Sequence, residues 1–120
     1  MTVERILRTK GRSVVTVAPD AALRQVVALL RDLRIGAVVV SSDGSRIEGI
    51  LSERDVVHRL AEKGADVLDA RVADLMVRAV ITCREQDTLQ DIMATMTRGR
   101  FRHVPVADEQ GKLCGMISIG

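Results

Sequence analysis

Aromatic residues are almost missing from this sequence: it has no Trp, no Tyr and a single Phe, Phe101. A flat ring bound here must lie against aliphatic side chains and backbone, and the stacking platform of an ordinary single-strand nucleic-acid binder is excluded. Cysteine is scarce as well. Cys83 and Cys114 stand 31 positions apart with no CxxC pattern, and the opening stretch MTVERILRTKGR lacks the long apolar run of a secretory signal. Together these point to a reduced, cytoplasmic protein. Long hydrophobic runs are absent: Ile35 to Val40, interrupted only by Gly36, falls far short of the roughly 20 residues that span a bilayer.

Charge of one sign is also missing. Lys and Arg total 18 against 16 for Asp and Glu, a net of +2, and the basic residues are spread along the chain. Arg98, Arg100 and Arg102 lie close together, but Asp108 and Glu109 follow, so no nucleic-acid partner is indicated. No GxxxxGK[ST] loop, GxGxxG fingerprint, GxSxG elbow or HExxH helix occurs. His58 and His103 have no His, Cys or carboxylate partner at metal-ligand spacing, so no metal and no autonomous catalysis are expected, and His58 reads as a helix-surface residue. With 120 residues the chain is of a size for one compact domain, and one core is expected.

What is present is a duplication. Shifting the sequence by 66 aligns residues 14–54 with 80–120 without a gap. Val14, Thr16, Leu23, Arg34, Val38, Val40, Gly49 and Ser52 then meet identical residues at Val80, Thr82, Leu89, Arg100, Val104, Val106, Gly115 and Ser118. In each copy a β-branched run, Val14 to Val17 and Val80 to Cys83, reads as a strand. A helix should follow, with Leu23, Val26, Val27 and Leu30 on one face and Leu89, Ile92, Met93 and Met96 on its counterpart. Asp87 with Gln90 resembles a capping box for the second helix; Pro19 and Asp20 mark the start of the first. Strands are expected at Ala37 to Ser41 and His103 to Ala107, turns at Asp43-Gly44 and Gln110-Gly111, and returning strands at Ile47 to Leu51 and Leu113 to Ile117. Ser52 to Lys63 should form a helix with Val56, Val57 and Leu60 inward and Gly64 at its C-terminal cap. Its counterpart would follow Gly120, which leaves an apolar face incompletely covered.

This order, with Val72-Ala73-Asp74-Leu75-Met76 entering the second copy, Phe101-Arg102-His103-Val104-Pro105-Val106 at its hairpin and Gly49-Ile50-Leu51-Ser52-Glu53-Arg54-Asp55 after the first hairpin, resembles a pair of cystathionine-β-synthase-type (CBS) domains, or Bateman module. Gly115-Met116-Ile117-Ser118-Ile119-Gly120 repeats the last mark in part. The resemblance implies an α/β fold of two tandem repeats, each a small three-stranded sheet packed on two helices, related by a pseudo-twofold axis. It divides the chain into repeat 1 (1–64), a linker (65–71) and repeat 2 (72–120).

It also implies a regulatory module that binds an adenine nucleotide and catalyses nothing. In the family, Ser or Thr followed three residues later by Asp holds the ribose, which assigns Ser52 and Asp55. A carboxylate can accept from both ribose hydroxyls. Ser-x-x-Asp is equally a helix capping box, and both readings stand at this point. Family sites are built from both repeats, so Arg102 and His103 become phosphate contacts, and Val80 and Ile81 either adenine contacts or core strand residues. A mirrored second site would use Val14, Val15, Ala37 and Ser118, with its carboxylate at position 121, an Asp in a longer native protein. There Gly36 and Ala37 replace Arg102 and His103, which leaves less charge for phosphate. The ligand could be AMP, ADP, ATP, NADH or S-adenosylmethionine. The expected partner is a second copy, in a homodimer. Rival readings are a ligand-free dimerisation module and a regulatory segment of a larger enzyme, such as IMP dehydrogenase, or of a transporter; the start at Met1 favours a stand-alone protein.

Overall fold

The computed structural model describes residues 1–119. Nine regular elements follow one another: α1 (Val3–Lys10), β1 (Thr16–Val17), α2 (Leu23–Leu33), β2 (Ala37–Val40), β3 (Gly49–Ser52), α3 (Glu53–Lys63), α4 (Leu89–Gly99), β4 (His103–Ala107) and β5 (Leu113–Ser118), with two 3₁₀ turns at Ala65–Asp69 and Val72–Asp74. The described residues condense into two units, one of residues 15–80 and one of residues 1–14 with 81–119. The expected single core is therefore replaced by two.

The 15–80 unit has a three-stranded sheet in the order β1-β2-β3. β1 runs parallel to β2, and β2 and β3 form the hairpin, with Ala37 opposite Ser52 and Val40 opposite Gly49. All four β2 residues are buried, as suits a β-branched strand covered on both faces. Its core joins Leu23 and Val26 of α2, Val38, Val40 and Leu51 of the hairpin, and Val56 of α3 to Val67, Val72, Leu75 and Met76. Val57, expected inward, is 61% exposed instead: it is one residue past Val56, a rotation of about 100° around the helix.

The other unit repeats the hairpin as β4 and β5, with His103 opposite Ser118. Here the expected third strand shrinks to one parallel bridge between Cys83 and Val106. The sequence shift gives the reason. Val39 donates its N–H to the Val15 carbonyl at 3.1 Å, and its counterpart is Pro105, which has no N–H to donate. The bonds on either side of Cys83 survive, Cys83 N–H to Pro105 O at 3.0 Å and Ala107 N–H to Cys83 O at 2.9 Å. Of the expected α4 face, Ile92 and Met96 are buried while Met93 is 48% exposed. The core is completed by Val3 and Leu7 of α1, a helix the repeat pattern did not foresee.

Sequence repeats and compact units thus partition the chain differently, because the segment leading into each repeat packs elsewhere. Residues 70–76 pair with the start of α2: Leu23 N–H donates to Ala70 O and Val72 N–H to Ala21 O. Residues 1–7 do the same at α4, where Leu89 N–H donates to Met1 O and Val3 N–H to Asp87 O. The hairpin glycines make room for these segments. A Cβ on Gly49 would stand 2.4 Å from the Met76 sulfur, and one on Gly115 would stand 2.7 Å from Leu7 Cδ1.

The expected cap at Asp87 moves by one residue. Thr88 is the N-cap of α4, its Oγ1 accepting from Asp91 N–H at 3.1 Å. The Asp87 carboxylate instead accepts from Arg84 N–H at 2.8 Å in the preceding turn.

Candidate functional site

In the 15–80 unit the site grows from the junction of β3 and α3. Ser52 ends the strand opposite Ala37 and is at once the N-cap of the helix, with extended backbone (φ −107°, ψ 167°). Glu53 N–H donates to Gly36 O at 2.9 Å, so the first turn of α3 is tied to the edge of β2. Ser52 donates to Asp55 Oδ2 from both its N–H (2.9 Å) and its hydroxyl (3.0 Å), while Asp55 N–H donates to the Ser52 hydroxyl oxygen at 3.3 Å. The capping reading of Ser-x-x-Asp is thereby realised, and one carboxylate oxygen carries both of these bonds.

Asp55 also lines an open depression of about 370 Å³ with His58, Arg59, Ala61 and Glu62, all on α3. Asp55, His58, Arg59 and Glu62 fall at the spacing that places residues on one helical face. Arg59 and Glu62 are joined by an ion pair of 3.1 Å. Sequence reading assigned His58 to plain helix surface and passed over Arg59; their positions three and four residues after Asp55 were the available signal. Val80 lies half-buried at the end of this unit, beyond Val77, which exchanges both backbone hydrogen bonds with Ile50 of β3 at 3.0 Å. Val15 is half-buried beside β2, and Ala37 is buried.

In the other unit His103 and Ser118 face each other across the hairpin, His103 Nδ1 lying 2.9 Å from the Ser118 hydroxyl. Arg102 precedes β4, exposed, and its carbonyl accepts from Ile119 N–H at 3.0 Å. Ile81 is 49% exposed, and Val14 is half-buried. The register therefore groups Ser52 with Ala37 and Ser118 with His103, joining within each hairpin one residue from each of the two sets read from the sequence. Position 121 lies outside the described residues.

Neither cysteine is poised as a nucleophile: burial pushes the Cys83 thiol up to about 12 and also raises that of Cys114. Among the described residues no group of three His, Cys, Asp or Glu side chains could hold a metal ion, and no helix is long and apolar enough to cross a membrane.

These features, a strand ending in a Ser that caps a helix, repeated hairpins and exchanged lead segments, accord with what comparison with known proteins shows. The CBS domain family matches residues 3–62 and again 72–120, and the chain belongs to that family, carrying two copies of its domain. The fold is similar to the crystal structure of a CBS-domain containing protein from Agrobacterium tumefaciens, with a TM-score of 0.93 and 45% identity over 99% of this chain and 88% of that one. It is also similar to a CBS domain protein from Pyrobaculum aerophilum complexed with AMP, with a TM-score of 0.85 and 26% identity over 98% of this chain and 87% of that one. Inosine-5'-monophosphate dehydrogenase of Mycobacterium tuberculosis is 30% identical over 98% of this chain, which covers 22% of that enzyme. The chain spans 55%, 68% and 61% of the lengths of the first three curated relatives it matches.

Proposed function

We propose that this chain is a non-catalytic regulatory module that binds an adenine nucleotide of the AMP, ADP, ATP or NADH type. The observation that carries the reading is the Asp55 carboxylate, which closes the α3 cap through Oδ2 and at the same time lines the open depression on that helix. A ribose diol seated there would donate to a carboxylate whose acceptor capacity two hydrogen bonds do not exhaust. Nothing in such a contact breaks a bond. The AMP carried by the Pyrobaculum protein supports the ligand class, and membership of the CBS family supports a regulatory role.

Arg102 offers the planar, permanently charged fork suited to phosphate, and His103, Val80 and Ile81 are proposed as further contacts. The second set, Val14, Val15, Ala37 and Ser118, is the weaker candidate, because a ligand reaching the Ser118 hydroxyl must compete with the His103 ring. Exposed apolar side chains on three helices, Leu33, Val57 and Met93, favour self-association, and we propose a homodimer. The same side chains motivate the alternative, a dimerisation module without ligand. A second reading, a role as the regulatory segment of a larger enzyme, is supported by the similarity to part of a dehydrogenase.

The test is to denature the purified protein, identify released small molecules by mass spectrometry, and titrate the ligand-free protein with an adenosyl panel by calorimetry. Asp55→Ala alone is ambiguous, since loss of a capping residue costs about 1 kcal/mol of stability. Asp55→Asn retains an acceptor for Ser52 N–H while removing the charge. Tight binding of an adenine nucleotide, weakened in Asp55→Asn at unchanged helicity, supports the reading. A wild-type dimer that binds no member of the panel replaces it with the ligand-free module.

A further inference from the structure

We propose that the outer edge of β5 is a docking site for an extended, carboxylate-bearing segment of a partner protein. The segment adds as a further strand at Met116 and Ser118, and its acidic side chain pairs with Lys10. The 15–80 unit shows the same arrangement filled: Val77 bridges Ile50 of β3 in antiparallel sense and exchanges both backbone hydrogen bonds with it. In the other unit the matching edge carries no strand.

Register fixes which groups point outward. Met116 stands opposite Pro105. Pro105 has no N–H, and its carbonyl accepts from Cys83 N–H on the far side of β4. This pair therefore exchanges no hydrogen bonds, and the Met116 N–H and C=O turn away from β4. Two residues on, Ser118 opposite His103 repeats the geometry. Among the described residues no backbone outside the hairpin bonds to either one. The register shift at Val106/Ala107 confines the regular edge to this end of β5. Unpaired groups in a row are a template for an added strand, and a lysine laid against them is one way of guarding it.

That lysine also indicates the chemistry of the partner. Lys10 donates to Met116 O at 2.6 Å and, among the described residues, has no carboxylate partner, whereas Arg8 and Arg12 of the same segment are paired with Glu4 and Glu85. An incoming strand takes the Met116 carbonyl with its own N–H and releases the ammonium, and an acidic residue on that strand supplies the missing anion. Lys10 and Ser118 are exposed, so the site is open to solvent. A second copy of β5 fits less well, because pairing about a twofold axis at Met116 sets two Lys10 ammonium groups side by side, and like charges there repel. Main-chain hydrogen bonds would give such a complex its affinity, and the Lys10 ion pair its specificity.

The test is an amide NMR titration of the isotope-labelled protein with the peptide acetyl-Glu-Val-Glu-Val-Glu-amide, its Lys-Val-Lys-Val-Lys counterpart, and the acidic peptide N-methylated at both valines. The acidic peptide should move the Met116 and Ser118 amide resonances and leave that of Ile50, whose edge Val77 already fills, in place. Lys10→Met should weaken it about threefold or more, the worth of an exposed ion pair, and Lys10→Glu should transfer the preference to the basic peptide. The N-methylated peptide, which lacks the donors, should not bind. No movement at Met116 with peptide in the millimolar range, or binding that survives N-methylation or ignores the charge at position 10, overturns the docking site. A Met116 resonance that moves with protein concentration alone puts a second copy on the edge and overturns the choice of partner. Lys10 is exposed, so unchanged thermal unfolding of its variants checks that the fold is kept, and the N-methylated peptide tests the backbone contact with no change to the protein.

Discussion

The two units solve the same packing problem with different lead segments. In the 15–80 unit the segment makes a 3₁₀ turn at Val72–Asp74 and then leads to Val77, which pairs with the edge of β3. In the other unit the matching segment continues as the α-helix α1 and has no backbone to offer the hairpin edge. There the Met116 carbonyl, counterpart of that of Ile50, accepts instead from the Lys10 ammonium at 2.6 Å. The apolar residues of the segment do equivalent work in both places: Val3 and Leu7 fill one core as Val72 and Met76 fill the other. What is duplicated is the side-chain plug under a hairpin glycine; the backbone that delivers it is free to vary.

The largest effect should come from removing a plug. Leu7 is 1% exposed, and Leu7→Ala is expected to cost about 2–5 kcal/mol in denaturant unfolding, the range for a buried Leu that leaves a cavity. Met76→Ala should cost somewhat less, since Met76 is 9% exposed against 1% for Leu7. Hydrogen exchange gives the sharper result. Leu7→Ala should lose protection first in β4 and β5 and Met76→Ala first in β2 and β3; loss in the opposite hairpins breaks the assignment of lead segments to units.

Gly49→Ala and Gly115→Ala come next, each expected to cost about 1–3 kcal/mol through overpacking. The added methyl at Gly49 meets the sulfur, Cγ and Cβ of Met76, and the one at Gly115 meets the outer carbons of Leu7. A double-mutant cycle checks the cause: Gly49→Ala combined with Met76→Ala should be less destabilised than the sum of the two singles. Strict additivity would mean that the glycine is kept for another reason.

The comparison also shows which parts of the molecule were legible in the sequence. The hairpins were, because β-branched runs interrupted by Asp43-Gly44 and Gln110-Gly111 leave little other choice. So was the Ser52 to Asp55 junction, whose capping geometry is local and therefore written in adjacent residues. The exchange of lead segments was not, since pairing Val3 with α4 or Val72 with α2 depends on contacts far apart in sequence. Helix α1 was missed because its inward face is carried by little more than Val3 and Leu7 among charged neighbours, too short a pattern to stand out. The weakened pairing at Cys83 could have been foreseen: the shift that reveals the repeat sets Pro105 against Val39, and the lost donor is visible there.

The helix starts offer a smaller test of the same comparison. α4 is capped by Thr88, whereas at α2 the corresponding residue is Ala22, which has no side-chain acceptor; only Gln25 Oε1 reaches back, accepting from Ala22 N–H at 3.1 Å. Thr88→Ala should cost about 1 kcal/mol, and Ala22→Thr should gain about half as much, both read from thermal unfolding. No change at either position would show that lead-segment pairing, rather than the cap, sets the helix starts.

The smallest effect concerns the hairpin turns and depends on pH. Asp43 Oδ1 accepts from Ser45 N–H and Arg46 N–H, both at 2.8 Å, and from the Ser41 hydroxyl at 3.1 Å. The backbone bonds, that from Arg46 first, hold its carboxyl at about 2. At the other turn the equivalent acceptor is Asp108, one position earlier in the repeat, bonded to Gln110 N–H and Lys112 N–H. Because the folded-state value of Asp43 lies below the unfolded one, the stabilisation is complete above about pH 4 and is lost as pH falls toward 2. Asp43→Asn should therefore lower the unfolding midpoint slightly at neutral pH, and the gap from wild type should close across that window. The side chain is exposed, so the gap is small and shrinks with added salt. A gap that persists at pH 2 would place the contribution of Asp43 in the shape of the turn and not in its charge, leaving the two turns equivalent despite their different acceptors.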